Sequence, residues 1–150
     1  MLIKRYESSW DEEIYQLFVR SVHEGCSGYY TGKELEAWAP KDGDPALWAR
    51  GLSYAKTLLA LDNGALAGFG SVVSGHITKL YVSPDQQGRG IGRLLLSSLE
   101  GRSGGSFQVY ASKQSRRFFE RQGYKVELEH YSFYGEEPLL TYLMVKEEQA

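Results

Sequence analysis

Long hydrophobic runs are missing from these 150 residues, and so are cysteine pairs, low-complexity tracts and a dominant charge. No apolar stretch approaches the ~20 residues of a membrane-spanning helix, so no membrane partner is expected. The start, MLIKRYESSW, carries charges where the apolar core of a secretory signal would stand. A lone cysteine, Cys26, forms no internal disulfide and supplies no metal-ligand set. A reducing cytoplasmic setting and no bound metal are therefore expected. Lysine and arginine total 17 against 19 acidic residues, a net charge of −2. Nucleic-acid binding needs a concentrated basic surface, so no nucleic-acid partner is expected. Glycine and tyrosine, in contrast, are plentiful, at 17 and 11 residues, with three tryptophans beside them. That aromatic excess suits the wall of a pocket or an interface.

The length predicts one domain, residues 1–150. Leu2 to Tyr6 reads as a short strand. Ser9 and Glu12 have capping-box spacing, and Ile14, Leu17, Phe18 and Val22 recur at helical intervals behind them. Residues 23–30 read as a loop, and Thr31 with Glu34 opens a second helix carrying Leu35 and Trp38. Asp44-Pro45 marks a third start, for Leu47, Trp48 and Leu52. Asn63-Gly64 and Ser74-Gly75 then punctuate three strands, the last being HITKLYV at 76–82. A helix from about Gly90 to Glu100, a GRSGGS link, a strand at 107–111 and a helix at 112–122 follow, with Gly123 as its stop. YKVELEHY and LLTYLMVKE close the chain as strands joined around residues 135–138. The expected fold is α/β (α+β layered), a mixed, mostly antiparallel sheet of about seven strands flanked by four to five helices.

Residues 87–93, QGRGIGR, carry the clearest chemistry. Three alternating glycines remove side chains that would hold a ligand off the backbone. A helix starting there leaves amide N–H groups without carbonyl partners, at the positive end of its dipole. Such an end suits a phosphate. The P-loop string G-x-x-x-x-G-K-[ST] is absent, and the dinucleotide pattern G-x-G-x-x-G fails at Arg93. Gln87-x-x-Gly90-x-Gly92 after ITKLYVSP instead resembles the pyrophosphate loop of the GNAT family, the acetyl-CoA-dependent N-acetyltransferases. SKQSRRFFERQGYKV is similar to that family's later N-x-x-A-x-x-[FL]-Y-x-x-x-G-[FY] helix, and the element order matches along essentially the whole chain.

This resemblance implies transfer of an acetyl group from acetyl-CoA to a primary amine, with coenzyme A as product. It implies that the backbone of Leu80, Tyr81 and Val82 pairs with the pantetheine arm and polarises the thioester carbonyl. Gln87, Gly88, Arg89, Gly90, Ile91, Gly92 and Arg93 would hold the pyrophosphate, with Ser112, Ser115 and Phe118 on the cofactor's other side. Serines stand at 112 and 115 where the family has asparagine and alanine. Phe119 stands where the family's tyrosine acid belongs. Tyr110, Tyr131, Tyr134 and Tyr142 are alternative acids. His76, an even count before Val82, is the candidate base, with an ordinary pKa near 6.5. Cys26, Tyr29, Tyr30 and Trp38 are candidate walls for a small-molecule or peptide amine, with Glu136 and Glu137 as carboxylates for its charge. The aromatic C-terminal strands are compatible with a homodimer. Two rivals stay open: a non-catalytic acyl-CoA-binding or regulatory module that lost its acid, and a nucleotide-binding domain using the same loop.

Overall fold

The computed structural model describes residues 1–102 and 105–148. Ser103 and Gly104 of the GRSGGS link lie outside the described residues. A single seven-stranded sheet runs in the order β1-β2-β3-β4-β5-β7-β6. Its strands are β1 (Leu2–Arg5), β2 (Lys56–Asp62), β3 (Ala65–Val73), β4 (His76–Val82), β5 (Phe107–Ser112), β6 (Lys125–Tyr134) and β7 (Glu137–Lys146). All neighbours are antiparallel except β4 and β5, which run parallel. Tight turns make the hairpins: Asn63 and Gly64 have φ of 51° and 83°, and Ser74 and Gly75 have 47° and 80°. Positive φ at both central residues matches the right-handed twist of paired strands.

Helices α1 (Asp11–Gly25), α2 (Gly32–Trp38) and α3 (Pro45–Trp48) cover one face, and α4 (Ile91–Glu100) and α5 (Arg116–Arg121) the other. Leu59, Leu61 and Phe69 point into the first core; Leu58, Ala60 and Ala67 point into the second. Helix α4 lies close against the sheet because β3 offers it glycines. A Cβ on Gly70 would sit 2.8 Å from Leu99 Cδ1, and one on Gly68 3.1 Å from Leu95 Cδ1.

Sequence and structure agree on α2, whose Thr31 and Glu34 form the reciprocal capping box. A box of this kind contributes about 1 kcal/mol. Asp44 caps α3 by accepting from the Ala46 and Leu47 amides. Ser9 and Glu12 do not cap α1. Ser8–Trp10 form a 3-10 turn, and the helix starts one residue later with Asp11, Glu12 and Glu13 in its first turn. Those three carboxylates favour the positive helix end without a side-chain cap. Helix α1 also runs on to Gly25, shortening the expected loop. Helix α5 is shorter than expected, since the Ser112 hydroxyl accepts from Ser115 N (3.2 Å) and holds a turn ahead of it. Pro138 belongs to β7 and not to the turn, at a stretch beyond the end of its pairing with β5; there its missing N–H costs no ladder bond. No helix among the described residues is long and apolar enough to cross a membrane. Tyr131 and Phe133 stand exposed on the edge strand β6.

Candidate functional site

Two strands that start together and then part create the site. Strands β4 and β5 pair only at His76↔Gln108 and Ile77↔Val109. Beyond Ile77, β4 keeps β3 as its partner but has lost β5. Ser83 N donates to Ala67 O on the β3 side at 2.8 Å. Backbone alternation therefore aims the amides and carbonyls of Leu80 and Val82 the other way, into the gap. A cleft of 1170 Å³ fills that gap, reaching from Ser21 on α1 to Arg121 on α5.

At one mouth of the cleft lies the glycine loop. Gly88 and Gly90 have φ of +80° and +79°, with open space where a Cβ would stand. Gly90 is the N-cap of α4, and no side chain caps that end. Leu94 N donates back to Gly90 O (3.0 Å), closing the first intrahelical bond. Ile91, Gly92 and Arg93 therefore present the helix's unmatched N–H groups to the cleft they line. Gly92 has a second duty, since a Cβ there would meet Phe118 Cε1 at 3.2 Å. Its bare backbone lets α4 and α5 close around one end of the cleft.

Other loop residues act on the protein itself. Gln87 Nε2 donates to Val82 O (3.1 Å), as does Ser21 Oγ (2.9 Å), so the loop and α1 are both tied to the end of β4. Arg89 does not line the cleft. Its guanidinium bonds Asp62 at 2.8 Å and Gln86, and this hydrogen bond holds the Asp62 carboxyl below its usual range. Arg93 does line the cleft, joined by Arg117 and Arg121 on one side of α5. The i, i+4 spacing of those two arginines was available in the sequence as a signal. Ser112 and Ser115 line it too, hydroxyl to hydroxyl at 2.9 Å.

The opposite wall is aromatic. Trp38 stacks on Tyr134 at 6.0 Å, meets Tyr30 edge-on at 5.8 Å and donates through Nε1 to Tyr81 Oη at 3.3 Å. Tyr30 Oη donates to Leu140 O (2.6 Å) and accepts from Lys113 N (3.0 Å), and burial pushes its pKa up to about 12. Burial likewise raises Tyr81 and Tyr134, which therefore stay protonated. Of the expected substrate wall, Cys26, Tyr30 and Trp38 come together, whereas Tyr29 stays half-exposed away from the cleft. Glu136 and Glu137 do not line it; Glu137 pairs with Lys33 at 3.5 Å. The tyrosine side chain at 81, Ser21 and Lys79 are site residues that sequence reasoning missed.

His76 is placed elsewhere. Ser71 pairs with Lys79 but Val72 pairs with Ile77, so Thr78 is an extra residue in β4. This bulge resets the alternation, and His76 falls on the face opposite Leu80 and Val82. Its ring packs at 5.4 Å against Tyr110, bonds Gln108 through Nδ1 at 3.0 Å and does not line the cleft. Tyr110 lines the cleft between His76 and His130; Tyr131 and Tyr142 do not. Phe119 is only 3% exposed, edge-on to Phe118 and Tyr124 on the cleft wall, so a hydrocarbon ring occupies that position.

Cys26 is buried, and burial pushes its thiol up to about 12. At pH 8 on the order of one molecule in ten thousand carries the thiolate. We expect alkylation by iodoacetamide at pH 8 to run at least 100-fold slower in the folded protein than in urea. Equal rates would show the thiol to be accessible and ionised.

Residues 26–136 match the family model described as an acetyltransferase (GNAT) domain. The chain is 29% identical over 123 residues to the uncharacterized N-acetyltransferase YafP of Escherichia coli, covering 82% of this chain and 80% of that one. A GCN5-related N-acetyltransferase from Rhodopseudomonas palustris superimposes with a TM-score of 0.92 at 30% identity, over 97% of this chain and 94% of that one. The PaiA N-acetyltransferase of Thermoplasma acidophilum, in complex with coenzyme A, shares the fold with a TM-score of 0.73 at 20% identity, over 97% and 98% of the two chains.

Proposed function

The chain belongs to the GNAT family of acetyltransferases and takes acetyl-CoA as its acyl donor, and on that premise we propose that a primary amine attacks the thioester directly in the β4–β5 gap. The observation that carries this reading is the early parting of β4 and β5. An extended pantetheine arm can complete the missing strand through the Leu80 backbone and the Val82 N–H, the Val82 carbonyl being held already by Ser21 and Gln87. The Leu80 and Val82 N–H groups would then polarise the thioester carbonyl where negative charge develops. The donor set suits the rest of the cofactor: the pyrophosphate meets the N–H groups of residues 91–93, with Arg93 beside them.

In the transfer, the amine nitrogen forms its bond to the acyl carbon as the carbon–sulfur bond breaks. The ammonium loses one proton to solvent before attack, and the nitrogen gives up a second once bonded to the acyl carbon. The departing thiolate takes one proton from a donor that solvent then reprotonates, for a net release of one proton. With carbon at Phe119, we assign the proton donor to Tyr134, which lines the cleft and is kept protonated by burial. Replacing Tyr134 by Phe is expected to lower kcat about 10- to 100-fold with coenzyme A affinity unchanged. A rise in KM for the amine at constant kcat would make Tyr134 a wall residue instead. The activity itself is tested by following thiol release from acetyl-CoA across a panel of primary amines. Acetyl-CoA binding without acetylation of any amine would favour a non-catalytic module.

A further inference from the structure

Among the described lining residues, Lys79 is the one cation on the acceptor half of the cleft, and the transfer leaves it unused. Among the described lining residues there is a single carboxylate, Glu24, and Arg20 holds it at 3.0 Å. Arg93, Arg117 and Arg121 belong to α4 and α5, on the cofactor half. Lys79 stands two residues before Tyr81 on the same face of β4, about 7 Å along the strand. Its ammonium lies 5.3 Å from the centre of the Trp48 ring, and Trp48 in turn stacks on Phe18, which meets Tyr81 edge-on. No carboxylate pairs with it among the described residues. Its cross-strand neighbour Ser71 is already bonded to Thr57 at 2.9 Å. A half-sheltered ammonium with only an aromatic face for company lacks an anion, and burial disfavours its charge.

Resting on the acetyltransfer reading above, we infer that the acceptor is an amine that also carries a carboxylate, with Lys79 binding that carboxylate and the Trp38–Tyr134 stack flanking the substrate's body. A carboxylate supplies the counter-charge that Lys79 lacks, in a low-dielectric site where a charge-assisted hydrogen bond is strong. The same cation weakens binding of a second ammonium, so polyamines fit this chamber poorly. It also lowers the pKa of the approaching amine, which eases loss of the proton before attack. Selectivity thus follows from Lys79 together with a lining whose one carboxylate among the described residues is already paired to Arg20.

The test compares two amines that differ in one group, L-phenylalanine and 2-phenylethylamine, with spermidine as a third substrate. The intact protein should show kcat/KM at least about tenfold higher for phenylalanine. Lys79→Met should bring the first two within about twofold by lowering phenylalanine much more than phenylethylamine, and Lys79→Arg should keep part of the preference. Preference for phenylethylamine or spermidine, or an equal loss for both amines in Lys79→Met, overturns the inference. Binding of phenylacetate to the coenzyme A complex, followed by calorimetry, gives a reading without turnover. About tenfold weaker phenylacetate binding in Lys79→Met supports the inference even where no amine is acetylated, a result that would count against direct transfer alone. Unchanged or undetectable phenylacetate binding overturns it.

Discussion

Replacing Gly90 by Glu is expected to weaken coenzyme A binding by at least 100-fold. Two effects add. Gly90 sits at φ +79°, where a side chain costs about 1–2 kcal/mol. Its new carboxylate would also stand at the N-terminus of α4, where the ligand's own negative charge should lie. Each tenfold in affinity corresponds to about 1.4 kcal/mol, and one charge-assisted hydrogen bond is worth about 1.5–3 kcal/mol. Gly90→Ala separates the contributions, because it carries the backbone strain without the charge. Calorimetric titration should place Gly90→Ala between the natural protein and Gly90→Glu. Equal affinity in all three would remove the helix end from the binding site.

Leu95→Ala should cost about 2–5 kcal/mol of stability, a large share of the 5–15 kcal/mol that holds a typical domain folded. Leu95 is fully buried, and its Cδ1 lies above the bare backbone of Gly68. With Gly68 across from it, no neighbouring side chain on β3 can swing in to fill the space. Ile91, Leu95 and Leu99 form the buried ridge of α4, one turn apart. Leu94 is 39% exposed, and its loss should change stability by about 0.5 kcal/mol or less. Urea unfolding of the two variants measures the difference. A Leu95→Ala cost no larger than that of Leu94→Ala would mean that α4 is not packed on the sheet as described.

How much was legible beforehand depended on whether the signal was local. Asn63-Gly64, Ser74-Gly75, the Thr31–Glu34 box and the Asp44-Pro45 start each act through neighbours in sequence, and each forms as read. Glycine spacing at 88–92 likewise announced an uncapped helix end. Ser9 and Glu12 had the right spacing too, yet the 3-10 turn before α1 displaced them. His76 went astray for a different reason. Counting alternate residues along β4 assumes an unbroken pleat, and the bulge at Thr78 comes from pairing with β3, which no local pattern announces. Lys79 and Tyr81 lie beyond the bulge, in unbroken alternation with Leu80 and Val82. Arg89 looked like a phosphate ligand beside the glycines, but Asp62, distant in sequence, claims it. Long-range partners decided what single residues do, while short-range chemistry decided where elements begin and end.

We propose that the gap between β4 and β5 receives the cofactor as a missing strand. Amide hydrogen exchange at Leu80 and Val82, measured with and without coenzyme A, addresses it most directly. Both amides should exchange markedly more slowly in the complex, while Tyr81, already turned toward β3, should change little. Coenzyme A binding that leaves Leu80 and Val82 as exchangeable as before would contradict the claim.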